Sequence, residues 1–255
     1  MRLEFVPLLK VQRRLHEIPR GRPRFDSYLA TLCNDDRDDV KFPPLGIVNP
    51  MARDHVTALL DDLLALDADA AAARALDAEA GRLATYPGAF RVGLVVADDA
   101  RGGWTDRHAA EYALAFEGDA TRKRGWITAV VWSSEPASVE SARVAVLVAA
   151  YRQAYIGLHG PARSLAERLS QEGFALAMAG AESPTLDPDD LAYTREVLAP
   201  LLVAEDKRTC IECLYGDPAA TALGLTPRGL TRRAGLALAL ADARLTAVAS
   251  AQGPD

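Results

Sequence analysis

Three short apolar runs each end in polar residues, and those residues have the types and positions to do chemistry. Asn49 follows Leu45-Gly46-Ile47-Val48, Asp98-Asp99 follows the run from Arg91 to Ala97, and Ser133-Ser134-Glu135 follows the run from Trp126 to Trp132. Ligands of open parallel sheets bind beyond the carboxyl ends of the strands. If the three runs are neighbouring strands, these residues line one rim. Asp98 and Glu135 could then serve as acid and base, and Asp98, Asp99 and Glu135 could hold a divalent metal ion. Asn49, Asp99, Ser133 and Ser134 would bind ligand. The loop that follows carries Gly102 and Gly103, which allow a close backbone approach, and Thr105, placed to cap the next helix. Free N–H groups at that helix start would receive an anionic group. The plain alternative is that polar residues follow most strands of any α/β protein and that two glycines make a turn.

Four further candidates compete with this rim. Tyr151, Tyr155 and His159 are spaced four apart and share one stripe of a helix, so Tyr155 and His159 could move a proton. Equally, they could be amphipathic packing residues, with His159 serving the helix dipole. Cys210-Ile211-Glu212-Cys213 has the spacing of half a zinc site or of a redox pair. Only Cys33 is left as a third thiol, and none of the four histidines forms a close pair with another, so two buried small residues are the simpler reading. Asn34 to Asp39 fails as a calcium loop, because the required glycine and glutamate fall on Asp39 and Leu45. His55, in the first turn after Asn49-Pro50, could reach the same rim or stay solvated.

The elements that must carry these residues follow from periodicity. The runs are short and rich in β-branched residues without strict alternation, as expected of strands covered on both faces. Stretches of helical character separate them, long enough for parallel crossovers. The first runs from Arg53 to Leu83 through an Ala/Asp-rich middle, the second from Thr105 to Phe116, and Val139 to Leu158 follows the third strand. Residues 1–44 read as an N-terminal helical segment broken at Pro19 to Pro23, residues 45–160 as an α/β unit, and residues 161–255 as a helical C-terminal region. In that region Gly180 closes a helix, and Asp187-Pro188, Asp217-Pro218 and Thr226-Pro227 each mark a helix start. The fold class expected is therefore helix-rich α/β, with a short, mostly parallel sheet.

Composition narrows the function classes. Across 255 residues, 29 Lys and Arg against 35 Asp and Glu leave a net charge of −6, which argues against nucleic acid as a partner. No window approaches a membrane-spanning apolar length, and the N-terminus lacks a secretory pattern. Three cysteines suit a reducing, cytoplasmic setting. Phosphate-loop, G-x-G-x-x-G, H-E-x-x-H and G-x-S-x-G signatures are all missing from the sequence. The expectation is a cytoplasmic enzyme acting on a small polar or anionic substrate at the sheet rim, with a divalent metal as an optional cofactor. The competing expectation is a non-enzymatic interaction or scaffold protein, and homo-oligomerisation is left open.

Overall fold

Leu3 and Phe5 alternate with exposed Arg2 and Glu4, a period of two that builds the first strand, β1 (Arg2–Val6). The computed structural model describes residues 1–100 and 103–251, with side chains through residue 247. In it, β1, β2 (Ala89–Ala97) and β3 (Trp126–Trp132) form a parallel sheet in that order. Arg2 stands opposite Ala89, and Arg91 opposite Trp126. From Val92 to Ala97, β2 is buried along its whole run, which explains why those positions are apolar without alternation.

Residues 45–48 are not a strand, contrary to the sequence expectation, and residues 2–6 are not helical. Pro43 and Pro44 have no N–H to give a ladder, so Pro43–Ile47 winds into a 3-10 turn. Leu45 and Val48 are nonetheless fully buried, in one cluster with Leu8, Tyr28, Val95 and Trp126. Tyr28 seals this packing by donating its hydroxyl to the Leu45 carbonyl at 3.1 Å.

β1 pairs only with the first half of β2, because the chain leaves the sheet at Pro7 and coils into α1 (Leu9–Leu15). Helix α1 then replaces the strand along the second half. The carboxamide of Gln12 imitates a peptide group: Nε2 donates to Val96 O at 2.8 Å, and Oε1 accepts from Val96 N at 2.8 Å. Gly93 makes room for this arrangement, since a Cβ there would stand 2.6 Å from Leu8 Cδ1 and 2.9 Å from Pro44 Cγ. The end of α1, at His16, therefore lies beyond Val96, towards the carboxyl rim.

Contacts divide the chain into two compact units. The first comprises residues 1–110 and 118–150 and contains the sheet. Its remaining helices are α2 (Arg22–Leu32), α3 (Asp54–Ala65), α4 (Ala68–Ala78), α5 (Ala80–Leu83), the start of α6 (Arg107–Tyr112), α7 (Asp119–Lys123) and the first half of α8 (Val139–His159). The stretch from Arg53 to Leu83 is thus three helices, interrupted where Asp67 takes a left-handed conformation at φ 53°.

The second unit comprises residues 111–117 and 151–255. A π-helical turn, Ala113–Glu117, extends α6. The other elements are the end of α8, then α9 (Leu165–Met178), α10 (Pro188–Leu198), α11 (Lys207–Tyr215), α12 (Asp217–Ala222) and α13 (Ala234–Ala251). Ser164 and Glu167 form a reciprocal capping box on α9, and Asp187 caps α10. Thr226-Pro227 starts no helix. Gly229 at φ 78° and Arg233 at φ 60° keep the chain turning until Ala234. A buried ion pair ties α8 to α9: Arg152 Nε and Nη2 donate to the Glu172 carboxylate, each at 2.7 Å.

Candidate functional site at the sheet rim

Asn49, Asp98, Asp99, Ser133, Ser134 and Glu135 do gather at the carboxyl ends of β2 and β3, within the first unit. Asn49 reaches the rim although no strand precedes it, because burial of Leu45 and Val48 brings the chain there. Asp98 is the centre, only 2% exposed. Its Oδ2 accepts from Asn49 Nδ2 at 2.8 Å, and its Oδ1 meets His55 Nε2 at 2.8 Å and Ser133 Oγ at 3.3 Å. Asn49 is itself fixed, because its Oδ1 accepts from Met51 N. His55, the weak fifth candidate of the sequence, is therefore a direct partner of the central carboxylate.

Asp99 does something different. Its Oδ1 accepts from Ser134 N at 2.9 Å and its Oδ2 from Ser134 Oγ at 2.7 Å, which braces the turn after β3. Arg107, unremarked in the sequence reading, closes that side. It donates to Ser134 Oγ at 3.2 Å and to Glu135 Oε1, stands 3.6 Å from Asp99 Oδ2, and lies over the Trp132 ring. A cation in the first turn of a helix opposes the dipole. That placement was the available hint that Arg107 had carboxylate partners.

The loop after Asp99 is tight. A Cβ on Gly103 would stand 2.3 Å from Asp98 O and 2.7 Å from Asp98 Oδ1, so only glycine fits against the central carboxylate. Gly102 lies outside the described residues. Thr105 donates its N–H to Asp98 O at 3.1 Å but does not cap α6. Asp106 does, accepting from Ala109 N at 2.7 Å, so that helix start offers its amides to its own side chain rather than to an anion.

What this arrangement can do follows from its hydrogen bonds. The Ser133 hydroxyl accepts from Asp99 N at 3.1 Å and Ala100 N at 3.2 Å, which occupies both lone pairs. It is a poor nucleophile, and His55 is bonded to Asp98 rather than to it, so this is no Ser-His-Asp triad. In the neutral His55 ring, Nε2 carries the hydrogen given to Asp98 and Nδ1 keeps the lone pair. His55 Nδ1 is shielded from water and has no hydrogen-bond partner among the described residues. The oxygens of Asp98 and Asp99 face nitrogen and hydroxyl donors, an arrangement unlike a metal site. Among the described residues no three His, Cys, Asp or Glu side chains are grouped to hold a metal ion.

An open groove of about 860 Å³ runs past this centre. Helix α3 lines it with His55, Leu59 and Asp62, its C-cap with Leu66, and the segment after β3 with Ser133, Glu135 and Pro136. Behind the rim stands His16, with both ring nitrogens buried and unpartnered. Burial, with Arg24, Arg13 and Arg20 around it, pushes its pKa down to about 4, while Asp98 pulls the other way. Buried Arg24 holds the turns on either side together, donating to Ile18 O at 2.6 Å, to His16 O and to Pro50 O.

The other candidates lie in the second unit. Tyr155 and His159 stack with ring centroids 4.4 Å apart and border a hollow of about 560 Å³ with Arg163 and Glu167. Neither lines the rim groove. Burial raises the pKa of the Tyr155 phenol. Cys210 and Cys213 are fully buried and unpaired. Burial raises both thiols, that of Cys213 to about 12, which weakens them as nucleophiles, while Arg168, donating to Cys210 Sγ at 2.7 Å, pulls that thiol the other way. Compared with known proteins, the chain matches no family model, no curated protein and no solved structure.

Proposed function

We propose that this protein is a cytoplasmic enzyme acting on a small polar molecule at the carboxyl-end rim of its parallel sheet, with His55 as the proton-transferring group. One observation carries the reading: a histidine bonded to a buried carboxylate through one nitrogen lines a groove, and its other nitrogen has no partner among the described residues. An unsatisfied buried polar atom costs stability, and such atoms recur where chemistry is done. Asp98 orients the ring and Asn49 orients Asp98, so Asp98 is a positioning residue and not itself the acid or base. Glu135, 40% exposed and held by Arg107, faces the same groove as a ligand contact. Three unpaired thiols accord with a reducing compartment. A scaffold that docks partners on apolar helix faces has less support at this rim, where buried ion pairs and hydrogen bonds dominate.

Nitrogen-detected NMR of the imidazole tests the central point. The expected result is an Nε2–H tautomer for His55 with an unprotonated Nδ1, lost in Asp98→Asn. Small polar compounds that shift the Nδ1 resonance should also be turned over, and His55→Phe should abolish turnover while leaving the fold intact. Full turnover by His55→Phe would overturn the reading.

A further inference from the structure

The groove has a charge and an apolar wall, and together they select a ligand. Of its charged lining residues, Asp54 is paired with Arg20 at 3.0 Å and Glu135 with Arg107. Asp62 is exposed and has no hydrogen-bond or ion-pair partner among the described residues. Among the described residues, neither lysine nor arginine lines the groove. The substrate was expected to be polar or anionic, but among the described lining residues an anion meets carboxylates and no lysine or arginine, the nearest cations, Arg20 and Arg107, being held by Asp54 and Glu135. Leu59 on α3 and Leu66 at its C-cap flank Asp62, and Leu66 is 43% exposed, uncovered by the described residues. Residues 55, 59, 62 and 66 follow the three-and-four spacing of one helical stripe.

We infer that the groove takes an elongated organic cation: an apolar body lying over Leu59, Leu66 and Pro136, a primary ammonium or similar group at Asp62, and the reacting polar group at His55. His55 and Asp62 are seven residues apart on one helix, which places the two ends about 10 Å from each other at 1.5 Å per residue. A chain of five or six methylenes spans that distance. This inference rests on the rim groove as the site of action and adds the class of molecule it receives.

A matched series of probes tests it: 6-aminohexanamide, hexanamide and the monoamide of adipic acid, which differ only in the charge at one end. Binding to the whole protein is read by calorimetry at low salt. The cationic amide should bind about threefold to fivefold more tightly than the neutral one, the size of an exposed ion pair, and the anionic one most weakly. Added salt should erase the preference. Asp62→Asn should abolish the preference without changing hexanamide binding, and Leu66→Ser should weaken all three. Equal affinities, a preference for the anion, or no binding of any probe at millimolar concentration overturns the proposal. The two readings fail separately. His55→Phe leaves the charge preference in place if only the catalytic reading is wrong, and Asp62→Asn leaves the His55 tautomer in place if only the charge reading is wrong.

Discussion

Helix α1 ends in a buried base, His16, and packs its start against a half-buried acid of α4, Asp69, and their effects on stability should be opposite in sign. Burial lowers the His16 pKa from 6.5 to about 4. Burial raises Asp69, packed at the first turn of α1, from 3.8 to about 6, although the amides of Leu9 and Lys10 pull it down. Between about pH 4 and 6 the unfolded chain protonates His16 and the folded one does not, so this group makes stability rise with pH. Over the same interval the unfolded chain has lost the Asp69 proton and the folded one keeps it, so this group makes stability fall with pH. Each slope approaches 1.4 kcal/mol per pH unit, and the pair nearly cancels. Single variants should uncover what the wild type conceals. Relative to wild type, His16→Phe should gain stability progressively as pH drops from 6.5, by about 3 kcal/mol at pH 4. Asp69→Asn should gain progressively as pH rises from 3.8, by a similar amount at pH 6 and above. Urea unfolding followed by circular dichroism at half-unit pH steps measures both. Should the difference between His16→Phe and wild type stay constant from pH 4 to 6.5, His16 is not a buried neutral base and the account of α1 is wrong.

Two other substitutions probe the frame. Gln12→Leu strips Val96 of both backbone partners in a buried place, at about 1–3 kcal/mol for each orphaned group, and should cut stability by about 2–6 kcal/mol and speed hydrogen exchange of the Val96 amide; a change within about 0.5 kcal/mol would show that the carboxamide does not complete the sheet. Glu172→Gln leaves Arg152 buried without its carboxylate and should cost about 3–5 kcal/mol in urea unfolding, whereas Arg152→Met with Glu172→Leu should restore much of that loss; equal losses in both would refute the pairing argument.

Two of the three strands were legible from their composition, because β2 is buried from Val92 to Ala97 and β3 is buried at all but Thr128 and Val130, so both are rich in apolar side chains without strict alternation. The third was misplaced. Leu45 to Val48 is as apolar as a strand because it is core, but adjacent prolines forbid a ladder, and periodicity cannot separate a buried turn from a buried strand. The real strand, Arg2–Val6, shows the alternation of a half-covered edge over only five residues, and Pro7 directed attention to a helix. The rim residues at 98–99 and 133–135 could be placed because they follow real strands. Asn49 arrived there by packing, not by strand pairing. His16 and Arg107 were missed for different reasons: no local pattern marks a ring buried without partners, and only the dipole-opposing position of Arg107 hinted at its bonds to Ser134 and Glu135, 27 and 28 residues away.

The side-chain amide of Gln12 stands where a neighbouring backbone would otherwise be. Should α1 lift away, Leu94-Val95-Val96-Ala97 becomes a bare strand edge of purely aliphatic composition, the kind of template on which a second molecule can add. Resistance to aggregation under heat or acid should therefore depend on how firmly Gln12 and the buried Leu9 and Leu15 keep a seven-residue helix latched to the sheet.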